Sequence, residues 1–169
     1  MSSIVLDLAK ILPTIRRHGD FYAIGTMAMF VLNLEIDGVG RVSLPLLPVQ
    51  AEQLVAVATH APYGRGEQTI VDTNVRRTWQ IGAGRIHIGG GHWRQTLDAI
   101  VAKAAVALGV TGSVSAELYK LLIYDTGRFF VEHRDTKKTA EMFAAPVIVL
   151  PSDHNGGTLL VRQHGGKSN

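Results

Sequence analysis

The spacing of apolar residues along the chain predicts three helices. Apolar positions three and four apart predict a short helix over residues 4–12, capped by Ser2 or Ser3 and ended near Pro13. A second helix is predicted over residues 51–58 and a third over 96–108, where Thr96 would be the N-cap and Gly109 would close the C-terminus. The third helix has the clearest apolar stripe and is expected to pack across a sheet face. Its stripe consists of Leu97, Ile100, Val101, Ala104 and Leu108.

Runs rich in β-branched and aromatic residues predict strands between these helices. We expect strands within residues 21–36, 78–81 and 85–88, and a hairpin turn at Asp37-Gly38 that leads into a short edge strand over residues 41–44. The Tyr-Gly-Arg-Gly stretch at residues 63–66 is interpreted as a loop. It lacks the spacing and the following Lys-Ser/Thr of a phosphate-binding loop.

The last third of the chain predicts a series of strands and turns. A strand over residues 118–124 is followed by a turn at 125–127, and residues 136–142 are expected to form a turn of helix. The apolar residues 145–150 predict a strand buried on both faces. The Gly156-Gly157 pair then predicts a tight turn into an antiparallel strand over 158–162, before a frayed tail at 165–169. The predicted fold class is α+β, with helices packed on an antiparallel sheet.

Composition narrows the classes of protein to which the chain can belong. Its 169 residues predict a single domain, and 46% hydrophobic with 18% charged residues is typical of a globular protein. The net charge of +3 comes from scattered Lys and Arg and gives no specific nucleic-acid signal. Because there is no cysteine, disulfides and thiolate metal sites are excluded. With neither a signal peptide nor a membrane span predicted, we expect a cytoplasmic protein.

The candidate chemistry lies in the His133-Arg134-Asp135 triplet. Residues i and i+2 of a strand point to the same face, so an imidazole and a carboxylate would project side by side. This pair supplies two of the three ligands in the 2-His-1-carboxylate triad of non-haem Fe(II) oxygenases. The same triplet also arises by chance as a surface histidine next to a solvated aspartate.

The sequence around this triplet resembles a known enzyme family. Tyr124-Asp-Thr-Gly127, the Phe129-Phe130 pair, His133-Arg-Asp135 and the later Gly156-Gly157 turn before a strand are similar to the prolyl 4-hydroxylase type of Fe(II)- and 2-oxoglutarate-dependent dioxygenases. The resemblance is specific over residues 118–161 and looser over residues 61–69 and 75–76.

The resemblance implies a double-stranded β-helix, or jelly roll, and a set of site residues. His133 and Asp135 would be the catalytic metal ligands, and Tyr124 would bind the 2-oxoglutarate cosubstrate. An alternative for Tyr124 is a half-buried sheet tyrosine whose hydroxyl bonds a neighbour. The implied reaction hydroxylates a C–H bond of a protein, peptide or small molecule and decarboxylates 2-oxoglutarate to succinate. The family also allows ascorbate as a cofactor.

The chain departs from the family pattern in one respect. The second iron histidine and the basic residue for the far 2-oxoglutarate carboxylate are expected several strands after the Gly-Gly turn, and neither His154 nor His164 matches the distal ligand position. We therefore expect an incomplete jelly roll that holds the N-terminal and central parts of the catalytic domain, truncated at its C-terminus. Two alternatives remain, a non-catalytic binding module derived from this fold and a regulatory domain that binds a peptide along an open sheet edge. An open edge would also allow self-association.

Overall fold

The computed structural model describes residues 19–28, 32–65, 68–70, 76–133, 137 and 139–162. The chain divides into two compact units, which are described separately. One unit includes residues 95–115 with the chain segments at both ends, and the other includes residues 29–94 and 116–159. The predicted helix over residues 4–12 and the predicted tail at 165–169 lie outside the described residues.

The described residues form a mixed α+β structure of two α-helices and short antiparallel strands, as predicted. In chain order the elements are β1 (Asn33–Ile36), β2 (Gly40–Val42), α1 (Pro48–Val57), β3 (Thr59–His60), β4 (Tyr63–Arg65), β5 (Gln68–Ile70), β6 (Arg76–Arg77), β7 (Trp79–Gly82), a 3-10 turn (Ala83–Arg85), β8 (Ile86–Gly89), α2 (Trp93–Ala107), β9 (Lys120–Ile123) and β10 (Phe129–Phe130).

The first three-stranded sheet has the order β2-β1-β8, and all its pairings are antiparallel. In β1 the side chains of Leu34 and Ile36 are buried whereas Asn33 and Glu35 are exposed, so this sheet has one apolar face and one polar face. The hairpin predicted at Asp37-Gly38 is confirmed. Gly38 has a φ of 84°, a left-handed conformation that glycine adopts without steric cost.

The second three-stranded sheet has the order β3-β7-β9. Its central strand β7 pairs with β9 in a register that places Trp79 opposite Ile123 and Ile81 opposite Leu121. Ile81 and Ile123 are buried, as strand alternation requires of residues on the same face. Together with the first sheet and helix α1, this face encloses the hydrophobic core. The buried members of the core are Leu32, Leu34, Ile36, Val42, Leu54, Ile81, Ile86 and Ile123.

Helix α1 is tied to the first sheet by two polar side chains. Gln50, in its first turn, accepts from the Ser43 amide at 2.9 Å and donates to the Arg41 carbonyl at 3.0 Å, which covers the backbone beside edge strand β2. At the other end of the helix, Arg85 donates to the carbonyl of Val57 at 2.9 Å and also to that of the hairpin residue Asp37. The helix begins three residues earlier than predicted, because a proline is well tolerated in the first turn.

Helix α2 confirms the predicted third helix and its C-terminus, but its start was predicted wrongly. Gly109 has a φ of 71° and donates to Val106, while Val110 donates to Ala105 at 2.9 Å, the two bonds of a Schellman motif. Thr96 is inside the helix and not its N-cap. The helix begins at Trp93, whose amide donates to the Gly90 carbonyl at 3.2 Å.

The half-buried positions of α2 follow the predicted stripe, although none of the helix residues is fully buried.

Two predictions in the N-terminal half are wrong. Of the described residues in the range 21–36, where strands were predicted, Asn33–Ile36 form β1 and residues 22–28 are irregular. Residues 63–65, predicted as part of a loop, form β4 and pair with β5. Both errors have the same cause, because strand formation depends on the partner strand more than on intrinsic propensity.

Two strands predicted near the C-terminus are also absent from the described residues. Residues 145–150 and 158–162 are not paired in a ladder, and Val149 is 75% exposed instead of buried on both faces. An isolated bridge between Leu46 and Ser152 is the pairing found in this stretch. The apolar composition alone suggested a buried strand, but a strand needs a neighbour to satisfy its backbone groups. Among residues 139–142 a single turn replaces the predicted turn of helix.

Gly156 and Gly157 both have positive φ, 76° and 73°, which fits the predicted turn. None of the helices in the described residues has the length and apolar character needed to cross a membrane.

We predict that Ile81→Ala lowers the free energy of unfolding by about 2–5 kcal/mol. Ile81 is 1% exposed on the central strand of the second sheet, so its truncation leaves a cavity in the core. Urea unfolding measures the change. Ile24→Ala is the matched control, since Ile24 is 91% exposed and its truncation should change the stability little. Equal losses in the two variants would contradict the described core.

We also predict that Gly19→Ala destabilises the unit that contains α2. The Asp20 amide donates to the Ala107 carbonyl at 2.9 Å, so the backbone at Gly19 lies directly against the end of that helix. A Cβ at Gly19 would lie 2.1 Å from the carbonyl carbon of Leu108, and relieving this overlap should cost about 1–3 kcal/mol.

Thermal unfolding of Gly19→Ala and Gly25→Ala compares a crowded position with an open one, because a Cβ at Gly25 meets nothing within 4 Å. An unchanged melting temperature for Gly19→Ala would show that the chain does not approach the helix in this way.

Candidate functional site

The candidate site begins where the second sheet is interrupted. Ile123 at the end of β9 pairs with Trp79, and Phe129 at the start of β10 pairs with Arg77. Residues 124–128 therefore lie opposite a single residue, Thr78. This arrangement is an extended bulge, a feature that bends a strand and changes the direction of its side chains.

Thr78 holds the sheet together on both sides of the interruption. It is fully buried, and its carbonyl accepts a hydrogen bond from the Ala61 amide at 2.8 Å. Its hydroxyl donates to the carbonyl of Phe129 at 3.4 Å, on the strand that resumes after the bulge. A buried hydroxyl with a partner avoids the cost of an unsatisfied polar group.

Within the bulge, residues 125–128 form a tight turn. The amide of Arg128 donates to the carbonyl of Asp125 at 3.0 Å, and Gly127 at the third position has a φ of 72°. A positive φ at this position is typical of a type II turn and explains the glycine. The side chains of Asp125 and Arg128 form an ion pair, which links the first and last residues of the turn in addition to the backbone hydrogen bond. The turn predicted from the Asp-Thr-Gly sequence is confirmed.

Trp79 joins this turn to the central strand of the sheet. Its indole N–H donates to Oδ2 of Asp125 at 3.2 Å, and Arg128 donates through Nη2 to the same oxygen at 3.2 Å and through Nε to Oδ1. The guanidinium carbon of Arg128 lies 4.9 Å from the centroid of the Trp79 ring. The imidazole of His60, on neighbouring strand β3, stacks on the ring at 4.1 Å with an interplanar angle of 19°.

The surroundings of Asp125 favour its ionised form. Partial burial alone would raise the pKa of this carboxyl group. Hydrogen bonds from Arg128 and Trp79, together with the positive charge of Arg128, outweigh that effect and hold the pKa below its usual value. The Arg128 side chain is only 14% exposed and that of Asp125 is 37% exposed, so the pair is partly shielded from solvent.

Tyr124 lies at the start of the bulge, directly after the last residue of β9. Its side chain is 52% exposed. Within the part of the chain that the structure describes, its hydroxyl makes no hydrogen bond. This disfavours the alternative of a half-buried sheet tyrosine bonded to a neighbour and leaves the hydroxyl accessible to a ligand.

His133 follows β10 and is held by two local contacts. Its Nδ1 lies 2.9 Å from the carbonyl oxygen of Val131, and its ring stacks on Phe130 with centroids 3.4 Å apart. Because a carbonyl can only accept, Nδ1 carries a proton in this contact. Such an Nδ1–H bond to a backbone carbonyl is common in metal-binding histidines.

Of the predicted His133–Asp135 pair, the structure describes His133. β10 ends at Phe130, three residues before His133, and Asp135 lies outside the described residues. The described residues contain no group of three or more histidine, aspartate or glutamate side chains that could hold a metal ion. His154 is exposed and lies 3.0 Å from the Ser152 carbonyl through Nδ1, and His164 lies outside the described residues.

Comparisons of the chain with protein-family models, with curated proteins and with solved structures give no match.

The contacts among His60, Trp79, Asp125 and Arg128 were not predicted from the sequence. The Asp125–Arg128 pair had a local signal, because opposite charges at the first and fourth positions of a turn lie close together. The contact between Trp79 and Asp125 joins residues 46 positions apart. No periodicity in the sequence indicates a contact over that distance.

We predict that Asp125 makes folding stability depend on pH in acid. Its pKa is lower in the folded protein than in the unfolded chain, where an aspartate has a pKa of about 3.9, so the native state holds the proton less tightly. This contribution is fully present above the unfolded pKa and is lost as the pH falls through the folded pKa. Because Asp125 is partly exposed, solvent screening should limit it to about 1 kcal/mol.

Urea unfolding of the wild type and Asp125→Asn from pH 6 down to about pH 3 measures this difference. The wild type should be more stable at the upper end, and the two curves should converge in acid. A constant difference across the range would refute a lowered pKa for Asp125.

Proposed function

We propose that the protein is an Fe(II)- and 2-oxoglutarate-dependent dioxygenase of the prolyl 4-hydroxylase type. His133 and Asp135 would bind the iron and Tyr124 would bind the cosubstrate. The observation that supports this proposal best is the bond between Nδ1 of His133 and the Val131 carbonyl, since it restrains the orientation of the imidazole ring in the way common for metal-binding histidines.

The donors fit a ferrous ion in chemical type. An imidazole nitrogen and an aspartate oxygen are two of the three ligands of the facial triad, and sulfur ligands are excluded by the absence of cysteine. Stacking on Phe130 restricts rotation of the imidazole ring, which reduces the entropy that His133 would lose on binding a metal.

Each residue would have a separate task in the reaction. When bound, iron and 2-oxoglutarate supply the oxidising chemistry that hydroxylates a C–H bond and yields succinate. The Tyr124 hydroxyl, exposed at the edge of the bulge, would donate a hydrogen bond to a cosubstrate carboxylate. His133 and Asp135 would fix the position of the iron relative to that tyrosine.

We further propose that the antiparallel sheets belong to a jelly roll. The support is that two three-stranded antiparallel sheets share one core, as the two sheets of a jelly roll do. The bulge would then separate two parts of one jelly-roll strand, with the cosubstrate residue at its start and the metal ligand after its end.

A second candidate function, a non-catalytic interaction module, is favoured by a different observation. Several large apolar side chains after the candidate site are exposed, and we propose that they allow self-association or contact with a partner. These residues are Phe143, Val147, Val149, Leu159, Leu160 and Val161.

Anaerobic titration with Fe(II) and 2-oxoglutarate tests the first proposal. We predict that the wild type develops the weak visible charge-transfer band of the iron–2-oxoglutarate chelate. His133→Ala and Asp135→Ala should each abolish this band and the production of succinate. His154→Ala is the matched control and should retain both, because His154 is an exposed histidine in a separate turn.

The dioxygenase proposal is wrong if the wild type gives no band, or if the band is unchanged in His133→Ala. Concentration-dependent sedimentation without iron binding would then favour the interaction module.

A further inference from the structure

We propose that Trp79, Asp125 and Arg128, which we call the bulge clamp, are positioning residues that orient Tyr124 toward the 2-oxoglutarate carboxylate. This inference rests on the proposed function. The three residues would act through the backbone of Tyr124 and would not themselves touch the iron or the cosubstrate.

Tyr124 is held on both sides by the same residue. Ile123, which precedes it, is paired with Trp79 in the β7–β9 ladder. Asp125, which follows it, accepts a hydrogen bond from the indole of Trp79 at 3.2 Å. The backbone of Tyr124 therefore lies between two attachments to Trp79, one to its backbone strand and one to its indole ring.

Trp79 is itself held in place by packing on both sides. Its ring packs against the hydrophobic core, and His60 on the adjacent strand stacks on it at 4.1 Å. A large aromatic residue that is half-buried and still uses its N–H is well suited to anchor a polar group. Asp125 is consequently attached to the rigid part of the sheet and not only to its own turn.

Arg128, the last residue of the bulge, prevents the bulge from opening at its C-terminal end. Its guanidinium binds both carboxylate oxygens of Asp125, and its amide donates to the Asp125 carbonyl. Without these bonds, five residues would join Ile123 to Phe129 across a gap that a single residue, Thr78, spans between β6 and β7. Each residue that is completely released gains backbone conformational entropy, which favours the open bulge by about 1–2 kcal/mol at 25 °C.

Among the described residues, the Tyr124 side chain makes no hydrogen bond that would fix its direction. Its direction is therefore set by the backbone that the bulge clamp holds. His133 lies beyond β10, which is anchored independently by its pairing with β6. Loss of the clamp should therefore weaken cosubstrate binding and leave the binding of iron alone intact.

The test compares Asp125→Ala with the wild type in two titrations of the full chain. We predict that Asp125→Ala weakens 2-oxoglutarate binding to the Fe(II) protein about tenfold, the lower end of the effect of losing a supporting contact. The affinity for Fe(II) alone should stay within about twofold, a change that corresponds to less than one ordinary surface ion pair. Asp37→Ala is the matched control, since the exposed Asp37 carboxylate lies 2.9 Å from Nε2 of His87, at the hairpin of the other sheet.

A second comparison separates positioning from general destabilisation. In a Tyr124→Phe background the hydroxyl to be positioned is missing, so Asp125→Ala should have no further effect on 2-oxoglutarate affinity. A merely structural role would weaken binding to a similar degree in both backgrounds. If Asp125→Ala fails to fold, Trp79→Phe replaces it, because phenylalanine retains an aromatic ring but lacks the N–H that bonds Asp125.

The outcomes of the two proposals can be distinguished. No charge-transfer band in the wild type would refute the dioxygenase function and this inference with it. A normal band with unchanged 2-oxoglutarate affinity in Asp125→Ala would overturn the inference alone, as would equal losses with and without the Tyr124 hydroxyl.

Discussion

The hydrogen bond from the Trp79 indole to the Asp125 carboxylate is the interaction on which the candidate site depends. It attaches the turn at residues 125–128 to Trp79, on the central strand of the second sheet. Hydrogen bonds to charged groups contribute about 1.5–3 kcal/mol, which is similar to the entropy lost when one or two residues are ordered. Because Asp125 is partly exposed, the indole and guanidinium bonds offset the ordering of about one residue, so they favour this conformation of the bulge without fixing all of it.

This constraint explains the use of a bulge in the proposed dioxygenase. A regular strand would have continued from β9 to β10 and placed successive side chains on alternate faces. The five-residue bulge opposite Thr78 instead separates Tyr124 from the segment that carries His133, with β9 before the bulge paired to β7 and β10 after it paired to β6. In the proposed dioxygenase, one residue binds the cosubstrate and the other binds the metal, so the distance between them matters more than the regularity of the strand.

The features predicted correctly from the sequence are those with local causes. Asp37-Gly38 indicates a hairpin by itself, Gly109 indicates a helix end, and the Asp-Thr-Gly sequence at Asp125 indicates a turn. The predictions that were wrong depend on distant partners. Residues 145–150 are as apolar as a buried strand, yet no strand pairs with them in the described part of the chain, and β4 forms because β5 pairs with it. His133 was singled out by its spacing from Asp135 and Tyr124 by a resemblance, and both stay predictions as site residues, whereas the contact between Trp79 and Asp125 had no signal in the sequence.

The most direct test of this account is the nuclear magnetic resonance of the Trp79 indole N–H. The chain has two tryptophans, so a Trp93→Phe background leaves one indole resonance to follow. The account predicts that this resonance shifts with pH as Asp125 is protonated, with a midpoint below the ordinary aspartate value of about 3.9, and that the shift is absent in Asp125→Asn. An indole resonance that does not respond to pH, or responds equally in Asp125→Asn, would contradict the bond on which the site depends.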